Sequence, residues 1–442
     1  MPTRSRLVSW VPGLGLIGAL LLMATAVTLP EVLDWDTATR RDDIQQFPPL
    51  HGFVETKVAA TSVAAVLIAL LGWRYAEALA ARLSWPRLLL ASYVVGLAWL
   101  LALAYVDGEE GVTRALGNPD EYLITARETD DVGQMLDVYI DRIPMDSEDN
   151  WVTHVAGHPP GALLFFVGLV RVGLGGDLAA GLVVAAIAAS TALAVMVTLR
   201  TLGVEDLARR AAPFLVLTPA AVFMAVSADA MFAAVGAWGL AALALGATAT
   251  VRARAVAWSV LAGLLLGGGV MLSYGLPLLG FLALAVLIAA RSWLPLPVAA
   301  ASALAVVLGF ALGGFAWWEA YPVLVDRYYE GIAADRPQSY WVWGNLAALL
   351  FCAGPLLGAG LASLRLRKHD RTVLLLVAGA ALAIVVADLS GMSRSEVERI
   401  WLPFVPWLTL SLALLPDGWR RWGLAVQLLA ALLVQHLLYT SW

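Results

Sequence analysis

Apolar runs of about 16 to 23 residues recur from one end of the chain to the other, and this repetition constrains the fold more than any other feature. A helix needs roughly 20 apolar residues to cross the hydrocarbon of a bilayer. In that medium every backbone polar group has to be satisfied within the segment, which is what a helix does. A composition of 61% hydrophobic and 14% charged residues, with a mean hydropathy of +0.80, excludes a soluble globular domain. Thirteen runs qualify as spans: 8–30, 57–73, 86–106, 178–199, 211–228, 231–249, 255–273, 276–290, 295–316, 343–362, 372–388, 400–415 and 424–440. The first, Leu7 to Leu29, is long enough to span and lacks a small-residue cleavage site, so it reads as a retained helix rather than a signal peptide. The expected fold class is an all-α polytopic membrane protein. Cys352, the one cysteine, falls in an apolar run and reads as a packing residue, with no disulfide or thiolate metal site.

Basic residues are retained on the cytoplasmic side in short loops, and this orients the spans. With the N-terminus inside, Arg4/Arg6, Arg74/Arg82/Arg87, Arg200/Arg209/Arg210, Arg252/Arg254, Arg291, the cluster 365-RLRKHDR-371 and Arg420/Arg421 share the inner side, 17 of the 28 basic residues. The count holds only if 159-PPGALLFFVGLVRVG-173 does not cross. That segment is short and ends in Arg171 and a Gly-Gly-Asp break, so it reads as an interfacial or re-entrant helix on the outer face.

Three long outer segments follow from this arrangement. Loop one, 31–56, carries 34-DWDTATRRDD-43. Loop two, 107–158, holds thirteen acidic residues and three arginines, and loop three, 317–342, is dense in aromatics and includes Arg336. The inner loops are short, so chemistry belongs outside. In loop two, spacing from residue 134 onward predicts an amphipathic surface helix. Asp120 and Glu121 head that region; adjacent acids at a turn either stay solvated or cap a helix, or one serves as a general base. Asp229 sits at the outer junction of two apolar helices, where an unpaired carboxylate is costly and pairing or function is the default. His154 and His158 are four apart, a spacing that on a helix would suit zinc. Pro159 and Pro160 oppose a continuous helix there, and no Glu or Cys completes a set. The prolines instead fit a first helical turn, leaving His158 at a helix N-terminus that favours an anion such as phosphate. Arg394, Glu396, Glu398 and Arg399 lie outside beside an apolar span, as a structural salt bridge or as a site for a lipid-linked phosphate.

The order of these features resembles the GT-C glycosyltransferases, which include protein O-mannosyltransferases, bacterial aminoarabinose transferases, and actinobacterial mannosyl- and arabinofuranosyltransferases. The matching stretches are 119-PDEYL-123, 158-HPPG-161, 226-VSADAMFA-233, 268-GGVMLSYG-275 and 398-ERIWLPFVPW-407. In the fourth, Ser273 and Tyr274 stand where the family has Thr and Lys, which removes a cation. The resemblance covers roughly 86–290 and part of 388–407. It implies a GT-C-like bundle of about thirteen transmembrane helices with outer-face interfacial helices. It divides the chain into two extra spans with an acidic loop (1–85), a catalytic core (86–290) and C-terminal spans (291–442). It implies inverting transfer of a sugar from a polyprenyl-phosphate donor to a glycan, lipid or protein acceptor, at the outer face of a bacterial cytoplasmic membrane. Glu121 or Asp120 would be the base, Arg399, His158 and Arg394 would hold the donor phosphate, and Asp229, His154, Tyr122, Glu396, Tyr274 and Arg336 would be further polar site residues. Asp34 and Asp36 are the alternative acids. No organic cofactor or nucleic acid is implied, and a divalent metal is an option that some relatives use and others do not.

Two other classes compete with this reading, a secondary transporter and a non-catalytic lipid-glycan-binding protein. A transporter predicts inverted repeats and charges near mid-membrane, whereas here the charges cluster at the outer ends of the spans. The enzyme reading requires Asp120/Glu121, His158, Asp229 and Arg399 to meet at one outer cavity open sideways to lipid.

Overall fold

The computed structural model describes residues 3–39, 46–364 and 370–440. The stretch 34–43 is therefore described only to Thr39 and the basic cluster 365–371 only from Asp370, and the side chains of Arg4 and Arg6 also lie outside the described residues. Among the described residues the regular structure is helical, apart from one small strand pair, Gly52–Val54 antiparallel to Leu438–Thr440.

Eight helices among the described residues are long and apolar enough to cross a membrane: Trp10–Val32, Ser62–Arg82, Trp85–Asp107, Asp177–Thr201, Ala228–Thr248, Arg252–Leu272, Pro295–Leu312 and Arg371–Leu389. The expected span 343–362 becomes Gln338–Ala353 and Leu356–Ser363, bent by 103°. The bend falls at Gly354, whose φ of 82° suits glycine, followed by Pro355. The other four expected spans are corrected. The 211–228 run contains the helix end at Val216, then Thr218–Pro219, then a four-residue helix Ala221–Met224. The 276–290 run is a 3-10 turn and a 12-residue helix, and the 400–415 run, with prolines at 403 and 406, is divided among Val397–Ile400, Val405–Thr409 and a 3-10 turn. The 424–440 run belongs to a helix, Asp417–Leu437, that starts seven residues earlier and gives way to a strand at Leu438. Hydropathy counts apolar residues across such breaks; prolines and turn residues decide where the helix stops.

Small residues set the closest helix crossings. A Cβ on Gly15 would lie 2.2 Å from the Gly358 carbonyl, so the first helix packs backbone to backbone against Leu356–Ser363. At one end of the bundle arginines close pairs: Arg200 and Arg209 on Glu205, with Arg209 also donating to the carbonyls of Ala80 and Leu83 at 2.8 Å, and Arg420 on Glu77. Loop two lies at the opposite end. Its expected amphipathic helix is short, Val132–Asp137, capped by the Asp131 carboxylate accepting from Gly133 and Gln134 N–H. The chain then turns, and Tyr139, Ile143 and Trp151 are buried there. The expected interfacial helix is Pro160–Arg171, 12 residues, with Leu163, Phe166 and Val167 buried.

Candidate functional site

The stretch 118-NPDE-121 forms a turn because Pro119 presets φ at its second position and Asn118 accepts from the backbone two residues on. Glu121 N–H donates to the Asn118 carbonyl at 3.0 Å, and Asp120 N–H to Asn118 Oδ1 at 2.9 Å. This turn separates the two acids. Asp120 stays exposed, its Oδ1 accepting from the Thr153 hydroxyl at 3.3 Å and its carbonyl from His154 N–H at 3.0 Å. Glu121 precedes the helix Tyr122–Glu128 with its side chain free of capping, and only 8% of the residue is exposed.

Glu121 begins a polar chain across four segments. Its Oε1 lies 3.5 Å from His154 Nε2, while its Oε2 is buried with no hydrogen-bond partner among the described residues. His154 Nδ1 lies 3.4 Å from Arg399 Nη2. Arg399 Nη2 also donates to Glu396 Oε2 at 2.7 Å, and its Nη1 to Asp229 Oδ2 at 2.7 Å. Glu396 Oε1 then meets Arg336 Nη2 at 3.4 Å. Asp229 occupies the first turn of Ala228–Thr248, where the helix dipole favours a carboxylate.

Lost solvation governs the titration of this chain. Burial pushes the Glu121 carboxyl up to about 8, partly opposed by Arg399 and reinforced by Asp229, Glu396 and Asp120. Burial, and after it Arg399, holds His154 well below the usual histidine range. Their 3.5 Å contact at neutral pH therefore joins a protonated acid to a neutral imidazole. Glu396 behaves oppositely: burial works against its charge, but Arg399, His51 and Arg336 outweigh that and hold it well below the carboxylate range. Arg399 is kept charged against burial by Asp229 and Glu396.

The HPPG segment supports this chain from behind. Pro159 is the extended N-cap and Pro160 the first helical residue. His158 Nδ1 is 2.9 Å from the His154 carbonyl, and its ring packs between Tyr122 and Phe232 at centroid distances of 5.7 and 5.6 Å. Burial lowers its pKa as well. The Tyr139 hydroxyl lies 2.8 Å from the Val155 carbonyl and 3.0 Å from that of His158, fixing the turn. His154 and His158 do not share a helix, since Thr153–Ala156 ends before His158. Among the described residues no group of three or more His, Cys, Asp or Glu side chains is arranged to hold a metal ion.

Several candidates lie apart from the chain. Arg394 turns onto the carbonyls of Ala333 and Arg336 at 3.2 and 3.0 Å and over the Tyr329 ring, bracing the 390–396 segment. Tyr274 joins an aromatic group with Trp317 and Tyr321, at 5.6 and 5.7 Å, its hydroxyl buried without a partner among the described residues. Asp34 and Asp36 are exposed, and Asp36 Oδ1 accepts from Ala38 N–H within loop one. Loop one reaches the site through other groups: Arg336 donates to the carbonyls of Ala38 and Thr39 at 3.1 and 3.2 Å, and His51 N–H donates to Glu398 Oε1 at 3.3 Å. Sequence reasoning missed His51. The signal was available, because three of the chain's five histidines, at 51, 154 and 158, fall in loops one and two, and two lie within two residues of a Pro-Pro pair, in 48-PPLHG-52 and 158-HPPG-161.

A narrow apolar cleft, with free space of about 30 Å³, lies within the bundle between Gly96, Thr191, Met224, Leu402 and Val405. Met224 precedes Asp229 by five residues and Leu402 follows Arg399 by three.

No family model and no curated protein matches this chain. Among solved structures, the crystal structure of ArnT from Cupriavidus metallidurans in the apo state is similar at 20% identity with a TM-score of 0.46. The match covers 75% of this chain and 60% of that one, so this chain spans less than two thirds of that protein's length.

Proposed function

We propose that the chain is an inverting glycosyltransferase of the GT-C kind, moving a sugar from a polyprenyl-phosphate donor to an acceptor hydroxyl at the outer face of a bacterial cytoplasmic membrane. The observation that carries this reading is the Glu121 carboxyl, buried, with one oxygen on His154 and the other open, on the same polar chain as Arg399. A general base works best when its pKa lies near the operating pH, and about 8 meets that requirement.

In the step proposed, the ionised Glu121 takes the acceptor proton as the acceptor oxygen attacks the anomeric carbon. The bond from that carbon to the phosphate oxygen breaks on the opposite side, and its electron pair leaves with the phosphate. The products are a glycoside of inverted configuration, polyprenyl phosphate and a protonated Glu121. His154 orients the carboxyl without competing for its proton, because its own basicity is depressed. Arg399 stabilises the charge that grows on the departing phosphate. The lipid tail would lie between helices.

The test is transfer by purified protein in lipid nanodiscs, supplied with labelled polyprenyl-phosphate mannose, arabinofuranose or glucose and compared with Glu121→Gln and Asp120→Asn. Transfer by the wild type and its loss in Glu121→Gln is the expected result. Equal transfer by both variants would move the base elsewhere, with loop one the first place to look.

A further inference from the structure

Both terminal nitrogens of Arg399 are already engaged by carboxylates. Its Nη1 donates to Asp229 and its Nη2 to Glu396, each at 2.7 Å. A phosphate added to this arrangement would put three anions around one guanidinium in a site with little water to screen them, which like-charge repulsion opposes. One carboxylate has to leave, and the two are not equivalent. The Asp229 side chain is 5% exposed and fixed in the first turn of a long helix; that of Glu396 is 21% exposed and lies outside any regular element.

Glu396 also has a destination. Its second oxygen is 3.4 Å from Arg336 Nη2. Arg336 is 4% exposed and otherwise donates to backbone carbonyls, those of Ala38, Thr39 and Arg394 at 3.1, 3.2 and 2.6 Å. Carbonyls leave its charge uncompensated, so it attracts the carboxylate within reach. The backbone favours movement as well. Ser395 and Glu396 both lie in the left-handed region, with φ of 72° and 62°, where an L residue with a side chain is strained. The strained pair is held from one side, by Asn345 Oδ1 accepting from Ser395 N–H at 3.2 Å and by Asn345 Nδ2 on Asp388 and the Ser393 carbonyl at 2.7 and 2.6 Å.

We infer that Glu396 is the resident occupant of an anion site on Arg399, and that the phosphate of an incoming lipid donor takes its place while Glu396 passes to Arg336. The site would accept a phosphate monoester or diester, and its own carboxylate sets the threshold for entry. Because Arg336 also grips Ala38 and Thr39, the exchange would report donor binding to loop one. The inference rests on the lipid-phosphate donor proposed above.

Binding of a synthetic polyprenyl monophosphate to the full chain in nanodiscs tests it. Glu396→Gln, which keeps the shape and removes the charge, is expected to bind about tenfold more tightly than the wild type. Arg336→Gln removes the destination and is expected to bind a few-fold more weakly, an opposite sign that two simple losses of packing would not produce. The polyprenyl alcohol, which carries no phosphate, should bind all three alike. Inorganic phosphate, run as a competitor, should gain by the same factor in Glu396→Gln; a gain with the lipid and none with free phosphate overturns the assignment, since the effect would lie on the tail. Weaker or unchanged binding by a Glu396→Gln protein whose thermal unfolding matches the wild type overturns the exchange and leaves the donor reading standing. Failure of the lipid phosphate to bind the wild type or any variant overturns both.

Discussion

Two carboxylate–cation clusters stand toward the same end of the bundle, and they differ in how completely the central carboxylate is matched. Around Asp107 each carboxylate oxygen has partners: Lys57 Nζ is 3.0 Å from Oδ1, and Arg114 and Gln435 are 3.4 and 3.3 Å from Oδ2. Arg114 continues to the Thr440 carbonyl at 3.2 Å and lies over the Tyr439 ring, so this cluster clasps the strand pair to the helices beside it. Around Glu121 the polar groups are as buried, yet one carboxyl oxygen has no partner among the described residues and Arg399 is shared between two carboxylates. An unmatched buried polar group costs stability. Asp107 is matched as a structural clasp is, and Glu121 is left open, which is the arrangement the proposed base requires.

The sharpest way to break that comparison is to neutralise each acid. Glu121→Gln is expected to lower transfer by roughly a thousandfold while folding is retained, as removal of a general base does. Asp107→Asn should leave transfer per folded molecule intact and destabilise by roughly 3 kcal/mol, because its buried cations lose their partner. Labelled-sugar transfer and thermal unfolding measure the two, and the opposite pattern would reverse the assignment. Next in size is Arg399→Lys, which keeps the charge but cannot bridge Asp229 and Glu396 at once; kcat/KM is expected to fall by about a hundredfold.

Titration sharpens the contrast further. In the folded state Glu121 has its pKa raised from 4.5 to about 8, so the folded chain binds more protons than the unfolded one across that window. Its stabilising contribution is then fully present below about 4.5 and is lost as pH rises through about 8. Transfer is expected to move the other way, rising about tenfold per pH unit and levelling above pH 8. Unfolding temperature and kcat/KM followed against pH read both slopes, and Glu121→Gln should flatten them. The smallest effects belong to the exposed acids. Asp120→Asn is expected to cost a few-fold through the contact to Thr153, and Asp34→Asn and Asp36→Asn nothing measurable; a large loss at any of these would relocate the base.

What the sequence made legible depended on whether the signal was local. The eight long apolar helices and the Pro-Pro helix start could be read directly, because a span and a first turn are each specified by adjacent residues. The spans expected at 211–228, 276–290 and 400–415 are interrupted because hydropathy passes over Pro219, Pro277, Pro403 and Pro406 without registering the breaks that the backbone makes nearby, whereas 424–440 lies mostly in one helix, Asp417–Leu437, that begins earlier and carries Arg420, Arg421, Gln427 and Gln435. At the site, the acids, histidines and Arg399 could be nominated individually from their residue types. Their pairing could not, since the partners are far apart in sequence: Arg399 meets Asp229 across 170 residues and His154 across 245. The likeness of Asp120 and Glu121 in sequence conceals their separation in space, which depends on the single turn at Asn118–Pro119.

Gly161 has a consequence for any chain built on the same plan. A Cβ there would lie 2.4 Å from the Met271 carbonyl, so this position admits no side chain unless the two helices separate. A relative carrying a larger residue after its Pro-Pro pair must set the Pro160 helix farther from the end of Arg252–Leu272, and must carry the two histidines away with it. The residue at 161 is thus a gauge, readable in sequence alone, of how closely these two helices approach.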